Sequence, residues 1–488
     1  MNILLVYPET PNTFWSYKNV LKFCRKTAYP PLGLLTVSSL LPKEWSKKLI
    51  DMNIRKLKDQ DIEWADLIFI SAMVVQENGA IEVIKKCKFF NKKIVMGGPV
   101  PTTQHEKFEG VDHFVLDEAE VTLPLFLSDL EKGEAKHIYT SQERPDLTKT
   151  PLPDWSLINL RNYLTMGIQY SRGCPFNCDF CYITIMNGRV PRTKSPTQMI
   201  DEFQALYDRG HRGFLFIVDD NFIGNKVHVK EMLKEVIEWQ KKHKYPFRLL
   251  TEASIDLAKD EELMNLMSKA NFYKVFLGIE STNLNSLKEC SKVQNTDIDL
   301  VNAIKIIHEH GMMVMGGFIV GFDNDGEGVF ESQLKFIQKV GIVSAMVGLL
   351  NAPPKTRLWN RLKSEGRILG NPSGENTDGT LNFIPKMDKD KLIEGYRNIM
   401  KSLYTPKNYY KRINTFIKSY HPTVKLNFSF KDSFLLFWSV LRVGTFSNKR
   451  FLYWKTMLKL FFTKRKAIPL FVELAVGGLH FEKFAKCI

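Results

Sequence analysis

Three cysteines, Cys174, Cys178 and Cys181, fall within the stretch Gln169-Tyr-Ser-Arg-Gly-Cys-Pro-Phe-Asn-Cys-Asp-Phe-Cys-Tyr182. A 4Fe-4S cluster has four irons, each wanting a terminal ligand, so three thiolates on one tight loop fix three irons and leave the fourth open to another molecule. A structural zinc site wants a fourth Cys or His close by, and the nearest later candidates are His211 and His228. Three incidental thiols are the remaining alternative; they would not call for Arg172-Gly173 before the trio and an aromatic residue, Phe180, inside it. The spacing reads as a cluster loop with one open iron.

Elements must hold this loop and bring other groups to it. Apolar runs recur at Tyr163 to Tyr170, Gly213 to Val218, Phe247 to Glu252, Tyr273 to Ile279, Gly311 to Val320 and Ile342 to Leu350, with helical stretches between them. Six parallel strands alternating with helices predict a partial (β/α)6 barrel, whose site lies at the strand C-termini. Those ends carry Asp219-Asp220-Asn221, Glu252, Glu280-Ser281, Gly321-Phe-Asp323 and Asn351. A helix N-cap is the other reading for Asp219, Asp220 and Ser281, but carboxylates at four successive strand ends favour a site.

The first 140 residues show the same alternation, with short apolar runs at Asn2 to Tyr7, Lys48 to Asp51, Asp66 to Ser71, Lys93 to Gly97 and Asp112 to Leu116. This predicts an α/β, doubly wound, Rossmann-like sheet covered on both faces, with ligand loops at the strand carboxyl ends. The candidate loops are Pro30-Pro-Leu-Gly-Leu34, Ser71 to Gln76, Gly97-Gly-Pro99 and Glu118-Ala-Glu120; singly, each is no more than a turn signal. Between 131 and 165 the pattern breaks at Pro145, Pro151 and Pro153, with Trp155 and Leu157 as anchors. The expected organisation is a ligand-binding domain over 1–140, a linker over 141–165, a barrel over 166–395 and a basic helical region over 396–488.

The cysteine loop, C-x3-C-x-aromatic-C with Phe180 as the aromatic, resembles the signature of the radical S-adenosylmethionine superfamily. That resemblance implies a 4Fe-4S cluster on Cys174, Cys178 and Cys181 whose free iron chelates S-adenosylmethionine, and an electron from the cluster that cleaves the sulfonium to a deoxyadenosyl radical. Gly316-Gly-Phe-Ile-Val-Gly-Phe-Asp323 is similar to the superfamily's G-x-I-x-G motif, which implies that the backbone at Gly317 and Gly321 lies against the adenine. Asp219 and Asp220 stand where many members carry a Gly-Gly-Glu that accepts from the cofactor's amine; the text departs here, leaving that contact open. Glu280 is the candidate for the ribose or amino end, and Glu252 is a further cofactor-binding candidate.

Upstream, the four loops in this order resemble a cobalamin-binding domain over about the first 125 residues, which implies corrinoid contacts from Ser71, Gln76, Gly97, Gly98 and Glu118. There is no D-x-H-x-x-G motif and no histidine before His105, so the lower axial ligand is left open. A flavodoxin-like domain without its ligand is the alternative. The whole resembles the hopanoid methylase branch through Asp219-Asp-Asn-Phe222, Gly317 to Asp323 and Asn408-Tyr-Tyr410, over roughly residues 1 to 420. The resemblance implies C-methylation of an unactivated carbon of a lipid-like or other small molecule, through the deoxyadenosyl radical and methylcobalamin, with an external electron donor such as a flavodoxin or ferredoxin. An oxidative cyclase with the same cofactors is an alternative. An RNA methylthiotransferase would bring a second cluster with three more clustered cysteines; Cys24, Cys87 and Cys290 are scattered, and nucleic acid is not expected.

Composition adds a location. Seven cysteines is an odd number and the four outside the loop, Cys24, Cys87, Cys290 and Cys487, are scattered, which implies no disulfide framework, and the N-terminus runs into a strand pattern with no leader, so a reducing, cytoplasmic setting is expected. No run of eighteen apolar residues suggests a membrane span. The net charge is +15, and from His421 onward twelve Lys and Arg face three acidic residues. Between Phe428 and Phe462 the basic residues interleave with aromatic and aliphatic residues: Phe434, Leu435, Phe437, Trp438, Leu441, Phe451, Tyr453, Trp454, Leu458, Phe461 and Phe462. That composition fits peripheral contact with the inner face of an anionic membrane; amphipathic helices packed on the barrel would give much the same pattern.

Overall fold

The structure, a computed structural model, describes residues 1–21, 25–375, 377–423 and 436–488; Cys24, Phe428, Phe434 and Leu435 of the reading above lie outside them. The first sheet comprises β1 Asn2–Tyr7, β2 Ser46–Asp51, β3 Leu67–Ser71, β4 Lys93–Gly97, β5 His113–Val115 and β6 Ile138–Tyr139. All are parallel, in the order β2-β1-β3-β4-β5-β6. Its strands are apolar on both faces because both are covered. Leu4, Val6, Ile68, Ile70, Ile94 and Met96 pack toward the helix Glu77–Phe89. Ile3, Leu5, Leu67, Phe69 and Val95 pack toward the helices Leu32–Leu40 and Ala119–Lys132. The order reverses between β1 and β3, which makes the loops after these strands the ligand crevice of a doubly wound sheet.

The second sheet continues the chain with β7 Met166–Ile168, a two-stranded antiparallel ribbon of β8 Ser171–Arg172 and β9 Arg192–Thr193, and then β10 Gly213–Ile217, β11 Phe247–Ala253, β12 Phe272–Glu280, β13 Met313–Val320 and β14 Ala345–Leu349. The six long-range strands are parallel, ordered β14-β13-β12-β11-β10-β7, and the two edges are not joined. This is the expected partial barrel. Leu215, Ile217, Leu249, Val275, Leu277, Val314 and Val320 are buried in the layer beneath the helices. The alternate set, Phe214, Phe216, Arg248, Glu252, Phe276 and Gly278, is only partly buried, so the barrel interior is lined rather than filled.

The two halves are tied by the loop after β1. Trp15 enters the barrel, its Nε1 donating to Met346 Sδ (3.1 Å) and its ring edge-on to Phe276 at 5.6 Å. Phe14 stacks on Phe481 at 4.6 Å, and its carbonyl accepts from His480 Nε2 (3.0 Å), on the C-terminal helix Ile468–Cys487.

Residues 141–165 run as an anchored strap: Leu147, Trp155 and Tyr163 are buried, Ser38 donates to Asp154 (2.9 Å), and the Tyr163 hydroxyl donates to Asp51 (3.1 Å). The division at 395/396 would cut the helix Lys389–Leu403, whose stripe Leu392, Tyr396, Ile399, Met400 and Leu403 packs continuously into the barrel core.

Candidate active site

The cysteine loop is shaped by polar groups. Gly173, at φ 100°, brings its backbone so close that a Cβ would lie 2.8 Å from the Val190 carbonyl oxygen. The Gly173 N–H donates to Asp220 (2.9 Å), which also accepts from the Asn187 amide (2.8 Å). Asp219 commits both oxygens to the chain, accepting from Tyr170 N–H (2.7 Å), Ser171 N–H (2.8 Å) and the Ser171 hydroxyl (2.7 Å). The two aspartates thus brace the loop before Cys174 and leave no free oxygen on Asp219 for a ligand. Cys174, Cys178 and Cys181 are partly buried thiols. Asn221 Nδ2 points at Cys174 Sγ (3.9 Å) and Gln294 Nε2 at Cys178 Sγ (3.8 Å). Among the described residues no three His, Cys, Asp or Glu converge on one point as a mononuclear metal would need.

Across from the loop, the Glu252 carbonyl accepts from Phe222 N–H (2.9 Å), while its carboxylate has no hydrogen-bond or ion-pair partner assigned among the described residues and projects into the barrel. Burial, then Asp220 and Asp219, push its carboxyl up to about 7. Glu280, at φ 62°, ends β12 and pairs with Lys292 Nζ (2.9 Å). Lys292, partly buried and held charged by Glu280 and Cys178 against its desolvation, stands beside the cysteine loop and was not read from the sequence. Gln294 was not read from the sequence either, because an amide or a lone lysine in a loop carries no spacing signal, whereas Asn221 stands in the Asp219-Asp220-Asn221 strand end singled out above. On β13, Gly317 sits where a Cβ would lie 2.8 Å from the Phe276 ring, and Gly321, at φ 106°, donates its N–H to Asp325 (3.0 Å). Asp323 is turned away; burial would raise its carboxyl, but Arg367 and Arg361 hold it at about 2.

In the first sheet, Ser71, Gly97 and Gly98 meet at the ends of β3 and β4. Gly98 has φ 96° and a Cβ there would lie 2.6 Å from Ser71 Oγ; one on Gly97 would lie 2.7 Å from the Val115 carbonyl. This narrow, side-chain-free ledge suits the close approach of a large flat ligand. Gln76 is not part of it: its amide donates to the Pro8 carbonyl (2.7 Å) and Thr10 (3.1 Å) and accepts from Met73 N–H (2.9 Å), which pins two loops together. Glu118 is also spent, on the guanidinium groups of Arg172 and Arg192. Beyond the ledge, Gln104 is 4% exposed with neither amide atom bonded, and the Tyr182 hydroxyl reaches toward Thr103 and Gln104 without a bond of ordinary geometry. Unpaired buried polar groups between ledge and cysteine loop are what a bound polar group would satisfy.

Fold and site together define a two-cofactor radical enzyme. Residues 18–127 match the B12 binding domain, 168–337 the radical SAM superfamily, and 356–488 a domain of unknown function. An uncharacterized methyltransferase of Synechocystis sp. is 40% identical, covering 100% of this chain and 92% of that protein. The hopanoid C-2 methylase of Rhodopseudomonas palustris is 29% identical over 94% of this chain and 89% of its own length. The cobalamin-dependent S-adenosylmethionine radical enzyme OxsB, solved with aqua-cobalamin, superposes with a TM-score of 0.65 at 17% identity, covering 99% of this chain and 80% of that one. The chain belongs to the cobalamin-dependent radical S-adenosylmethionine methyltransferase family. Its cofactors are a 4Fe-4S cluster, S-adenosylmethionine and cobalamin.

Two outcomes are expected. Anaerobically reconstituted protein holds about four irons per chain, and the variant with Cys174→Ala, Cys178→Ala and Cys181→Ala holds almost none; zinc in the native protein would contradict this. The second concerns Glu252 in the apoprotein. A carboxyl raised to about 7 from 4.5 binds its proton more tightly in the folded chain, so its stabilising contribution is full below about pH 4.5 and fades as pH rises through 7. Glu252→Gln should match the parent in thermal unfolding near pH 4.5 and be more stable at pH 8, by about 1–3 kcal/mol. Equal stability at pH 8 would show that Glu252 ionises normally.

Proposed function

We propose that this enzyme C-methylates an unactivated carbon of an apolar, lipid-like substrate, which it collects at the cytoplasmic face of an anionic membrane. The observation that carries the chemistry is the meeting of two ligand-bearing edges: Glu118, in the turn after β5, pairs with Arg172 (2.8 Å), two residues before Cys174, and with Arg192 (2.8 Å). In this reading Cys174, Cys178 and Cys181 hold the cluster, Ser71, Gly97 and Gly98 border the corrinoid, and Glu252, Glu280, Gly317 and Gly321 border S-adenosylmethionine. The bound cofactors supply one-electron and hydrogen-abstracting chemistry and the methyl group, with the electron from an external donor such as a flavodoxin or ferredoxin.

The chain's own residues orient and enclose. Glu252 offers an unpaired acceptor to donors on a ligand, and the Lys292–Glu280 pair fixes charge beside Cys178. Trp15, Tyr29, Phe214, Phe216 and Phe276 give the barrel a partly exposed aromatic wall that excludes water and offers flat apolar contact. A ring-bearing lipid fits such a wall better than a charged metabolite does, and likeness to a hopanoid methylase supports the same class.

The membrane contact rests on the helix Arg450–Thr463. Tyr453, Met457 and Leu460 face inward, while Phe451 (76% exposed), Trp454, Leu458, Phe461 and Phe462 (77%) form one outward stripe beside exposed Arg450, Lys455 and Lys459. Aromatic rings and cations on one outer face suit the acyl–headgroup boundary. No described helix is long and apolar enough to cross a membrane, so this one would lie in the interface.

With labelled S-adenosylmethionine and a reductant, lipid extract from the native host should gain a labelled methyl detected by mass spectrometry. Label only in water-soluble products would defeat the lipid assignment. Vesicles containing phosphatidylglycerol should sediment the parent protein at low salt and not the variant with Phe451→Ser, Phe461→Ser and Phe462→Ser. Equal recovery of both in the supernatant would remove the membrane. Point variants are needed because deleting 421–488 would strip the helix Ile468–Cys487 from Phe14 and Lys274.

A further inference from the structure

The acidic turn of the first domain reaches into the cysteine loop of the second. Glu118 and Glu120, with side chains 6% and 11% exposed, share Arg172: Nη1 donates to Glu118 (2.8 Å) and Glu120 (3.0 Å), and Nη2 donates to Glu120 (2.8 Å). Arg192 grips Glu118 with both terminal nitrogens (2.8 and 3.1 Å), and Arg144 approaches it at 3.4 Å. The same arginines hold the loop from both flanks. Arg172 lies two residues before Cys174, Arg192 donates to the Asn187 carbonyl (3.0 Å), and Arg144 donates to the carbonyls of Ile185 (2.8 Å) and Met186. Asn187 in turn donates to Asp220, which holds the Gly173 N–H.

We propose that Glu118 and Glu120 are positioning residues, an ionic latch through which the cobalamin-binding domain sets the shape of the cluster loop. The proposal rests on the reading that Cys174, Cys178 and Cys181 are the cluster ligands. Glu118 meets Arg144 and Arg192, whose other donors end on the carbonyls of Ile185, Met186 and Asn187, and Glu120 meets Arg172, which lies in the loop itself and donates its Nε to the Gln169 side-chain oxygen (2.9 Å), so neutralising either glutamate releases an arginine and loosens the loop segment it holds. A corrinoid ligand at Glu118, the role expected from its place after β5, would need an oxygen that the two arginines already occupy.

The full-length apoprotein gives a readout that needs no bound cofactor: alkylation rates of individual cysteines, followed by mass spectrometry. In Glu118→Gln and in Glu120→Gln, Cys174, Cys178 and Cys181 should react at least tenfold faster than in the parent, while Cys87 and Cys290 stay slow. Glu118→Asp, which keeps the charge with a shorter reach, should fall between. After anaerobic reconstitution the reduced cluster of the Gln variants should show a shifted EPR signature with corrinoid retention unchanged. A merely structural contact would lower the unfolding temperature and leave that signature alone, which would overturn the proposal. Corrinoid loss with unchanged thiol reactivity would overturn it in favour of a cobalamin ligand. If Glu118→Gln does not fold, Arg144→Lys keeps the charge but cannot span two carbonyls, and unchanged thiol rates there would be equally fatal. A parent protein that binds neither iron nor corrinoid would instead refute the proposed function, leaving the thiol comparison interpretable.

Discussion

Two carboxylates from the turn after β5 and three guanidinium groups, Arg172 and Arg192 on the β8–β9 ribbon and Arg144 in the strap, share a shielded junction, and where they meet decides how the two ligand-bearing edges face each other. Ion pairs in such a place are poor sources of net stability, because desolvating the charges offsets their attraction. What they supply is direction. A guanidinium fork bonds a carboxylate in one plane with two parallel donors, and Arg192 uses both on Glu118. The free energy that holds the domains together comes from apolar contact elsewhere, at Phe14 against Phe481, Phe484 and Tyr404 and at Trp15 inside the barrel. Affinity and alignment are carried by different residues, so one can weaken without the other.

The cysteine loop shows why alignment has to be imposed. Its length goes into ligand spacing, and it is left with few side chains that could pack. Its shape comes from backbone N–H groups landing on fixed carboxylates: Tyr170 and Ser171 on Asp219, Gly173 on Asp220. Burial drives Asp219 up to about 7 despite those donors, which measures how far from water the brace lies. Replacing thiols by a charged cluster would alter this field, in which Lys292 is a fixed cation that acts on all three thiols.

Much of the scaffold was legible because buried parallel strands are continuous apolar runs. β1 and β4 match the expected runs end to end, and the barrel strands differ by a few residues at their ends. The missed strands, β6, β8 and β9, are two residues each, too short for any period to register. Residue roles were less legible than residue places. Gln76, Glu118 and Asp219 stand at strand ends, as expected of ligand contacts, yet each is satisfied by partners 48 to 74 residues distant in sequence. Sequence position marks the edge where ligands bind; it cannot tell a group facing a ligand from one bracing the loop beside it. Glu252 kept its candidacy for a physical reason: its carboxylate has no bonding partner assigned among the described residues, and the charged groups that act on it, Asp219 and Asp220, are acids.

The basic tail illustrates the same limit in charge. Counting lysines and arginines overstates the cationic surface, since Lys449 is buried against Glu482 and Lys464 donates to the carbonyls of Ile417 (2.8 Å), Lys418 (3.1 Å) and Tyr420 (2.9 Å), capping the helix Pro406–Ser419. Packing on the barrel explains those residues and the inward face of the helix Arg450–Thr463. It does not explain the opposite face, where a helix apolar nearly all round is covered on one side only. The two readings of the tail were never exclusive. A helix that docks on both the barrel and a lipid surface needs apolar residues around most of its circumference and cations at the seam, and that is how Arg450, Lys455 and Lys459 are placed.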